Sequence, residues 1–161
     1  IDDEVVEIEA FRAVTFSPKG SYLFIGGDDK IIRMYRCKND FKFLTFYKGH
    51  KNSILSICCS NDEKSLASAG EDKLVKLYEN EESNTKIKWT FFGHEKGVNC
   101  VSISLDCKFV LSGGDDGQKF IFEIKTGILR KKFPVNQEEG PIFSVAFLPD
   151  MKRIAAAGSE K

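Results

Sequence analysis

Residues 112–127, "SGGDDGQKFIFEIKTG", set three glycines and two aspartates beside an apolar run, the materials of a phosphate cradle or a calcium loop. A cradle requires glycines that lead into a helix, so that free N–H groups face the anion. Here "KFIFEI" has strand character, and the Gly-Lys pair of a phosphate loop is lacking. Calcium asks for acids at alternate positions closed by a later Glu, a ladder that "DDGQKFIFE" does not supply. Zinc would want a CxxC pair with histidine nearby. The five cysteines, Cys37, Cys58, Cys59, Cys100 and Cys107, contain no such pair, and His50 and His94 stand far apart. The expectation is therefore no metal and no other cofactor, with reduced thiols in an intracellular protein, cytoplasmic rather than nuclear.

What must position these residues is a repeat. Four segments share one pattern: "FSPKGSYLFIGGDDKIIRMY" from Phe16, "CSNDEKSLASAGEDKLVKLY" from Cys59, "ISLDCKFVLSGGDDGQKFIF" from Ile103 and "FLPDMKRIAAAGSEK" from Phe147. Their matching glycines, Gly27, Gly70, Gly114 and Gly158, are 43, 44 and 44 residues apart. A period of about 40–45 residues is read before any local motif. Asp29, Asp72 and Asp116 occupy one place in three copies, and Glu160 occupies it in the fourth. Apolar runs flank each glycine–acid segment, as in "SLASAG" and "KLVKLY", which predicts strand, tight turn, strand. "ILSICC", "FVLSGG" and "RIAAAG" are small or apolar on both faces, so each sheet is expected between neighbours. "FKFLTFY", "KIKWTFF" and "ILRKKF" mix aromatics with cations, as a half-exposed rim strand would. Four antiparallel strands per unit follow, and the acidic loop turns a hairpin.

Bulk properties agree with a folded chain that carries no strong field. The 161 residues hold 24 basic and 24 acidic side chains, so no net charge draws nucleic acid or an anionic membrane. Hydrophobic content of 42%, with 14 Phe, is too rich for a disordered segment. No apolar run approaches the ~20 residues that span a bilayer, and "IDDE" is a poor start for a signal peptide.

These residues resemble the WD40 repeat family of β-propellers. Gly49-His50 and Gly93-His94 stand at the family's Gly-His position, and its Trp-Asp position holds Tyr35-Arg36, Tyr78-Glu79 and Phe122-Glu123. The resemblance runs from about Glu7 to the end. It implies an all-β partial propeller of about three and a half four-stranded blades, with repeats at about 7–50, 51–94, 95–138 and a truncated 139–161. It also implies that a His, a strand Ser, the turn Asp and the Trp-position residue tie each blade together. Those residues are His50, Ser68, Asp72 and Tyr78 in the second unit. In the third they are His94, Ser112, Asp116 and Phe122, where Phe122 has no donor. The first unit has Glu7 and Ile25 for His and Ser, and the fourth has Glu138 and Ala156, so these blades are expected to be fastened by other means. A Ser-His-Asp trio also suggests a hydrolase, but a catalytic Ser sits exposed on a strained elbow, and here the trio recurs once per repeat inside strands. No enzyme is expected.

The family often captures peptides or partner proteins on the face that carries the Gly-His loops and Asp turns. The matching positions are Ala10, Arg12 and Asp28; Ser53, Leu55 and Glu71; Gly97, Asn99 and Asp115; and Pro141, Phe143 and Ser159. The reading is a non-catalytic scaffold for protein or peptide partners, with acids favouring a basic residue and Phe143 offering an apolar anchor. Clustered cations at Arg130, Lys131 and Lys132, with Lys42, Lys48 and Lys51, leave an alternative: a nucleic-acid-associated scaffold in an RNA-processing complex. Trp89 is read as outer-strand packing, and Glu79, Glu81 and Glu82 as a soluble linker. A propeller closes with about 4–8 blades. The remainder of the ring is therefore expected from the same chain or another subunit.

Overall fold

The computed structural model describes residues 10–82, 85–135 and 139–160. Among the described residues, fourteen strands and one helical turn follow the repeat. The first sheet contains β1 (Phe11–Phe16), β2 (Tyr22–Gly27), β3 (Ile32–Arg36) and β4 (Lys42–Tyr47). A four-residue helix, α1 (Lys38–Phe41), precedes its outer strand; the sequence reading did not foresee this turn. The second sheet contains β5 (Ile54–Cys59), β6 (Ser65–Gly70), β7 (Val75–Glu79) and β8 (Ile87–Phe91). The third contains β9 (Val98–Ile103), β10 (Phe109–Gly114), β11 (Lys119–Glu123) and β12 (Leu129–Lys132). β13 (Glu139–Phe147) and β14 (Ile154–Glu160) form a two-stranded sheet. Every pairing is antiparallel, and strand order within each sheet follows the chain.

Successive sheets stack through their first strands, β1 on β5, β5 on β9 and β9 on β13. Apolar side chains fill the layers between them. Phe24, Ile32, Met34 and Tyr47 of the first sheet meet Ile54, Ile57, Leu66 and Tyr78 of the second. Ala67, Val75, Leu77 and Phe91 then meet Val98, Val110, Phe120 and Phe122, and a smaller cluster joins Cys100 and Leu111 to Ile142 and Val145. This two-sided burial explains why "SLASAG" is small and apolar throughout: β6 is covered on both faces from Leu66 to Gly70. The outer strand β12 is exposed along its length, as its Arg and Lys residues predict.

Side chains at the rim fasten neighbouring sheets. The Tyr47 hydroxyl donates to Asn80 Oδ1, and Asn80 Nδ2 donates to the Glu63 carbonyl at 2.6 Å. Arg36 and the Tyr22 hydroxyl both bind Glu82, so this acid joins the first two sheets and is not the plain linker residue expected from sequence. Trp89 Nε1 donates to the Ile124 carbonyl at 2.9 Å. No helix among the described residues is long and apolar enough to cross a membrane.

Candidate functional site

The acidic loop makes one turn three times. In residues 27–30, 70–73 and 114–117, the fourth amide donates to the first carbonyl at 3.1, 3.2 and 3.1 Å. The fourth residue, Lys30, Lys73 or Gly117, is left-handed at φ 66°, 69° and 73°. The second acid accepts the amide two residues on: Asp29 from Ile31, Asp72 from Leu74 and Asp116 from Gln118, at 3.2, 3.2 and 3.0 Å. This local bond is why aspartate suits the turn. It also points the carboxylate back into the sheet.

There Asp72 meets His50. The ring Nδ1 lies 3.0 and 2.9 Å from the two carboxylate oxygens, and Nε2 lies 2.6 Å from Ser68 Oγ. A carboxylate only accepts, so Nδ1 donates to Asp72, while Nε2 and the serine hydroxyl share the second bond. Lys51 N adds a bond to Asp72 at 2.8 Å. The third unit repeats the geometry: His94 Nδ1 at 3.0 Å from both Asp116 oxygens, Nε2 at 2.9 Å from Ser112 Oγ, and Glu95 N at 2.8 Å. Burial pushes both carboxyls up, but the His bond and the backbone amides outweigh it and hold them below the usual range. With its bonds directed to His, Lys51 and Leu74, or to His, Glu95 and Gln118, each carboxylate is occupied inside its own sheet. Ser68 and Ser112 are 0% exposed, so neither can reach a scissile bond as a nucleophile.

Tyr78 is buried and sets its ring edge-on to Tyr47 at 5.3 Å. Burial pushes its hydroxyl up and the neighbouring Ser68 hydroxyl works against that, so Tyr78 adjoins the second unit's chain beyond Ser68, although no hydrogen bond of full geometry reaches its hydroxyl among the described residues. Phe122 stacks on Phe91 at 4.4 Å instead. In the first unit, Asp29 pairs with Arg33, which supplies another fastening. Glu7 and Glu138 lie outside the described residues.

A second set of residues faces outward. In each first strand the register slips by one residue: between Phe11 and Ala13, Ile54 and Ser56, Val98 and Cys100, and Ile142 and Ser144. The residues in the slips are Arg12, Leu55, Asn99 and Phe143. A bulge re-aims a side chain and recurs where a strand meets a binding site. Beside three of the bulges the carbonyl just before the first strand accepts the amide of the turn's first acid: Ala10 from Asp28 at 3.0 Å, Ser53 from Glu71 at 3.0 Å and Gly97 from Asp115 at 2.9 Å. The periodic glycine exists for this contact. A Cβ on Gly27, Gly70, Gly114 or Gly158 would stand 2.0, 2.7, 2.6 or 2.4 Å from the carbonyl oxygen of Ala10, Ser53, Gly97 or Pro141.

Within this row the structure pairs some residues and leaves others open. Arg12 grips Asp28 with two bonds and holds its carboxyl below the usual range. Asn99 Nδ2 donates to Asp115 Oδ1 at 2.6 Å and to the Ile142 carbonyl at 3.0 Å, a bridge to the next sheet. Glu71 is exposed, and Leu55 is half-buried. Phe143 is 60% exposed. Ser53 is buried; its carbonyl accepts the Glu71 amide and its hydroxyl helps Arg12 hold the Asp28 carboxyl low, which leaves little side chain for a partner. Elsewhere, Arg130 binds Glu123 at 2.7 Å. Lys131, Lys132 and Lys48 lie over the rings of Phe133, Phe120 and Phe46 at 4.5, 5.5 and 4.7 Å. The five cysteines are unbridged, and burial pushes Cys59 and Cys100 up to about 12, which makes them poor nucleophiles.

The family described as "WD domain, G-beta repeat" matches residues 9–36, 41–79 and 85–118. The chain belongs to the WD40 repeat family. Among its WD40 relatives, meiotic recombination protein rec14 of Schizosaccharomyces pombe is 30% identical over 123 residues, 76% of this chain and 39% of that protein. Small ribosomal subunit protein RACK1 of Neurospora crassa is 30% identical over 122 residues, 74% of this chain and 37% of its own length. Apoptotic protease-activating factor 1 of Rattus norvegicus is 24% identical over 163 residues, 85% of this chain and 13% of its own. The chain thus spans well under half of each. The WD40 match stops at residue 118, whereas the sheet geometry continues through β14.

Proposed function

We propose that this WD40 chain is a non-catalytic scaffold that holds protein partners, within a larger intracellular assembly, on the face carrying the bulge and turn residues. The observation that carries the reading is the bulge at Arg12, Leu55, Asn99 and Phe143, which recurs beside the first turn acid in three of the four sheets. A register slip at the same place in every sheet directs a row of unlike side chains off a stiff frame. Loops and bulges on such frames are where binding residues gather. Two WD40 relatives are named for an assembly or a protein they act on, the small ribosomal subunit and an apoptotic protease, which supports a binding role over a chemical one.

The row also describes the partner. Arg12 neutralises Asp28, while among the described residues Asp115 is met by the neutral amide of Asn99. A Cβ built on Gly97 would stand 3.5 Å from Asp115 Oδ2 and 3.6 Å from Glu71 Cα, so both acidic residues adjoin this glycine. A Lys or Arg docked beside Gly97 comes near the Asp115 carboxylate and the exposed side of Glu71. Phe143 offers the apolar anchor, of the aromatic kind that dominates interface cores. The ligand class is an extended segment with one basic and one apolar residue.

Charge reversal tests this reading. A panel of short peptides with and without a basic–apolar pair is titrated against the chain and against a Glu71→Lys, Asp115→Lys double variant. The reading expects selective binding of the paired peptides and a loss of about tenfold or more in the variant, about 1.4 kcal/mol. Equal binding by both proteins, with the far-UV spectrum unchanged, would remove it.

A further inference from the structure

One place in the repeat is filled in three ways. Arg33, Lys76 and Phe120 stand opposite Ile25, Ser68 and Ser112 in their sheets. Arg33 carries a charge and meets the turn acid Asp29. Phe120 carries none and sets its ring edge-on to His94 at 4.6 Å. Lys76 is a cation only 5% exposed, and the turn acid of its sheet, Asp72, is taken up by His50 and by the Lys51 and Leu74 amides. Its ammonium has three N–H groups to place; among the described residues it donates to the neutral Thr90 Oγ1 at 3.2 Å. Burial pushes Lys76 below the usual lysine range, Asp72 opposes that and Lys51 adds to it. A buried cation without a counter-charge is costly, and Phe120 shows that the fold accepts an apolar residue at this place.

More charge of the same sign gathers in front of it. A Cβ built on Gly49 would stand 3.6 Å from Lys76 Cδ and Cε and 2.6 Å from Ile87 Cδ1, so the lysine stem lies against the chain that follows Lys48 and close to Ile87. Lys48 and Ile87 line a rim groove of about 480 Å³, together with Phe46, Thr85 and Lys86. The groove runs from β4 to the start of β8, between two sheets that each have four strands. Lys48, Lys51 and Lys86 are exposed. Among the described residues, no carboxylate is in ion-pair contact with any of these three or with Lys76. At the next rim Phe92, which precedes the second Gly-His pair as Lys48 precedes the first, is 70% exposed. Phe92 and Phe120 thus hold the places of Lys48 and Lys76, and the repeat itself does not require these cations.

We propose that this groove binds an acidic polypeptide segment, with carboxylates against Lys48 and Lys86, one apolar side chain on Ile87, and Lys76 as the buried charge behind them. Complementary sign selects the occupant. The field of Lys76 is screened by salt less than that of the exposed lysines, so it adds attraction where the carboxylates seat. The whole chain carries no net charge, which makes that attraction local to the groove. Single-stranded nucleic acid would ask for open rings on which successive bases stack. Here the Phe46 ring is already covered by Lys48 Nζ at 4.7 Å, and the free wall is Ile87, aliphatic and 40% exposed. The groove goes beyond the outward row, whose acids ask for a basic partner.

The probe is a labelled peptide with a leucine flanked on each side by two glutamates, titrated against the 161-residue chain by fluorescence anisotropy at low and high salt. Saturable binding that weakens with salt is expected, and the same peptide with glutamines should bind at least about tenfold more weakly. A Lys48→Glu, Lys86→Glu chain, changed at two exposed positions, should also lose about tenfold or more. Lys76→Met keeps the stem and removes the charge, so it should unfold at higher urea than the parent and bind the peptide about threefold or more weakly. Peptide-side changes cannot unfold the protein, which keeps the test decisive if a variant is unstable. Equal affinity for the glutamate and glutamine peptides, undiminished binding by either folded variant, or tighter binding of a labelled oligouridylate of equal charge would overturn the proposal. The Glu71→Lys, Asp115→Lys variant should bind this peptide no more weakly than the parent, which tells failure of the groove apart from failure of the outward row.

Discussion

At the residue scale, the histidines and aspartates fasten structure. Replacing Asp72 with alanine strands the buried His50 ring donor and removes the acceptor of the part-buried Leu74 and exposed Lys51 amides, and leaving one buried donor unmet costs about 1–3 kcal/mol; urea unfolding should show it. The pH dependence has a definite sign. Asp72 and Asp116 titrate below the ordinary range when folded, so their contribution is present above the unfolded carboxyl value, about 3.9, and fades as pH falls through the lower folded value. The gap between the parent chain and Asp72→Ala should therefore be widest near neutrality and narrow below about pH 4. Gly127 gives a second test. It is left-handed at φ 72°, and an added Cβ would stand 2.6 Å from the Trp89 ring. Gly127→Ala should cost about 2 kcal/mol, from backbone strain and displaced packing together, and shift Trp89 fluorescence.

At the scale of elements, the strands were legible because two signals agreed: the 43–44-residue spacing of glycines and the apolar runs around them. The hairpin reading of "SGGDDGQKFIFEIKTG" follows from local chemistry, since Asp116 needs only the amide two residues on. Other features were hidden for physical reasons. The glycine's close approach to a neighbouring carbonyl depends on the bulge, and a bulge is a register slip between strands that no single strand encodes. Alignment found Arg12, Leu55, Asn99 and Phe143 as a row, but the cause of their common direction is the slip. Glu82 was read as a solvated linker acid because its partners, Arg36 and Tyr22, lie 46 and 60 residues away. Tyr78 keeps its expected place beside Ser68, but its edge-on packing against Tyr47 is a contact between sheets that its residue type does not announce. The row's binding role belongs to this scale: the Glu71→Lys, Asp115→Lys variant should weaken basic–apolar peptides about tenfold without loosening a strand.

At the scale of the molecule, stability is a stack of similar layers, each touching its neighbours. The buried clusters lie between consecutive sheets, and the ties lie within single sheets. In such an array a local defect spreads mainly to nearest neighbours. That separates this account from one in which His50, Ser68 and Asp72 form a reactive site, whose removal would leave the scaffold intact. The direct measurement is native-state amide exchange on the Asp72→Ala and Asp116→Ala chains. Asp72→Ala should lower protection in β6 and β7 by about tenfold or more, since 1.4 kcal/mol corresponds to a factor of ten, while β10 and β11 change far less. Asp116→Ala should show the mirror pattern. Unchanged protection in the sheet that lost its aspartate, or an equal loss through every sheet, would contradict the account.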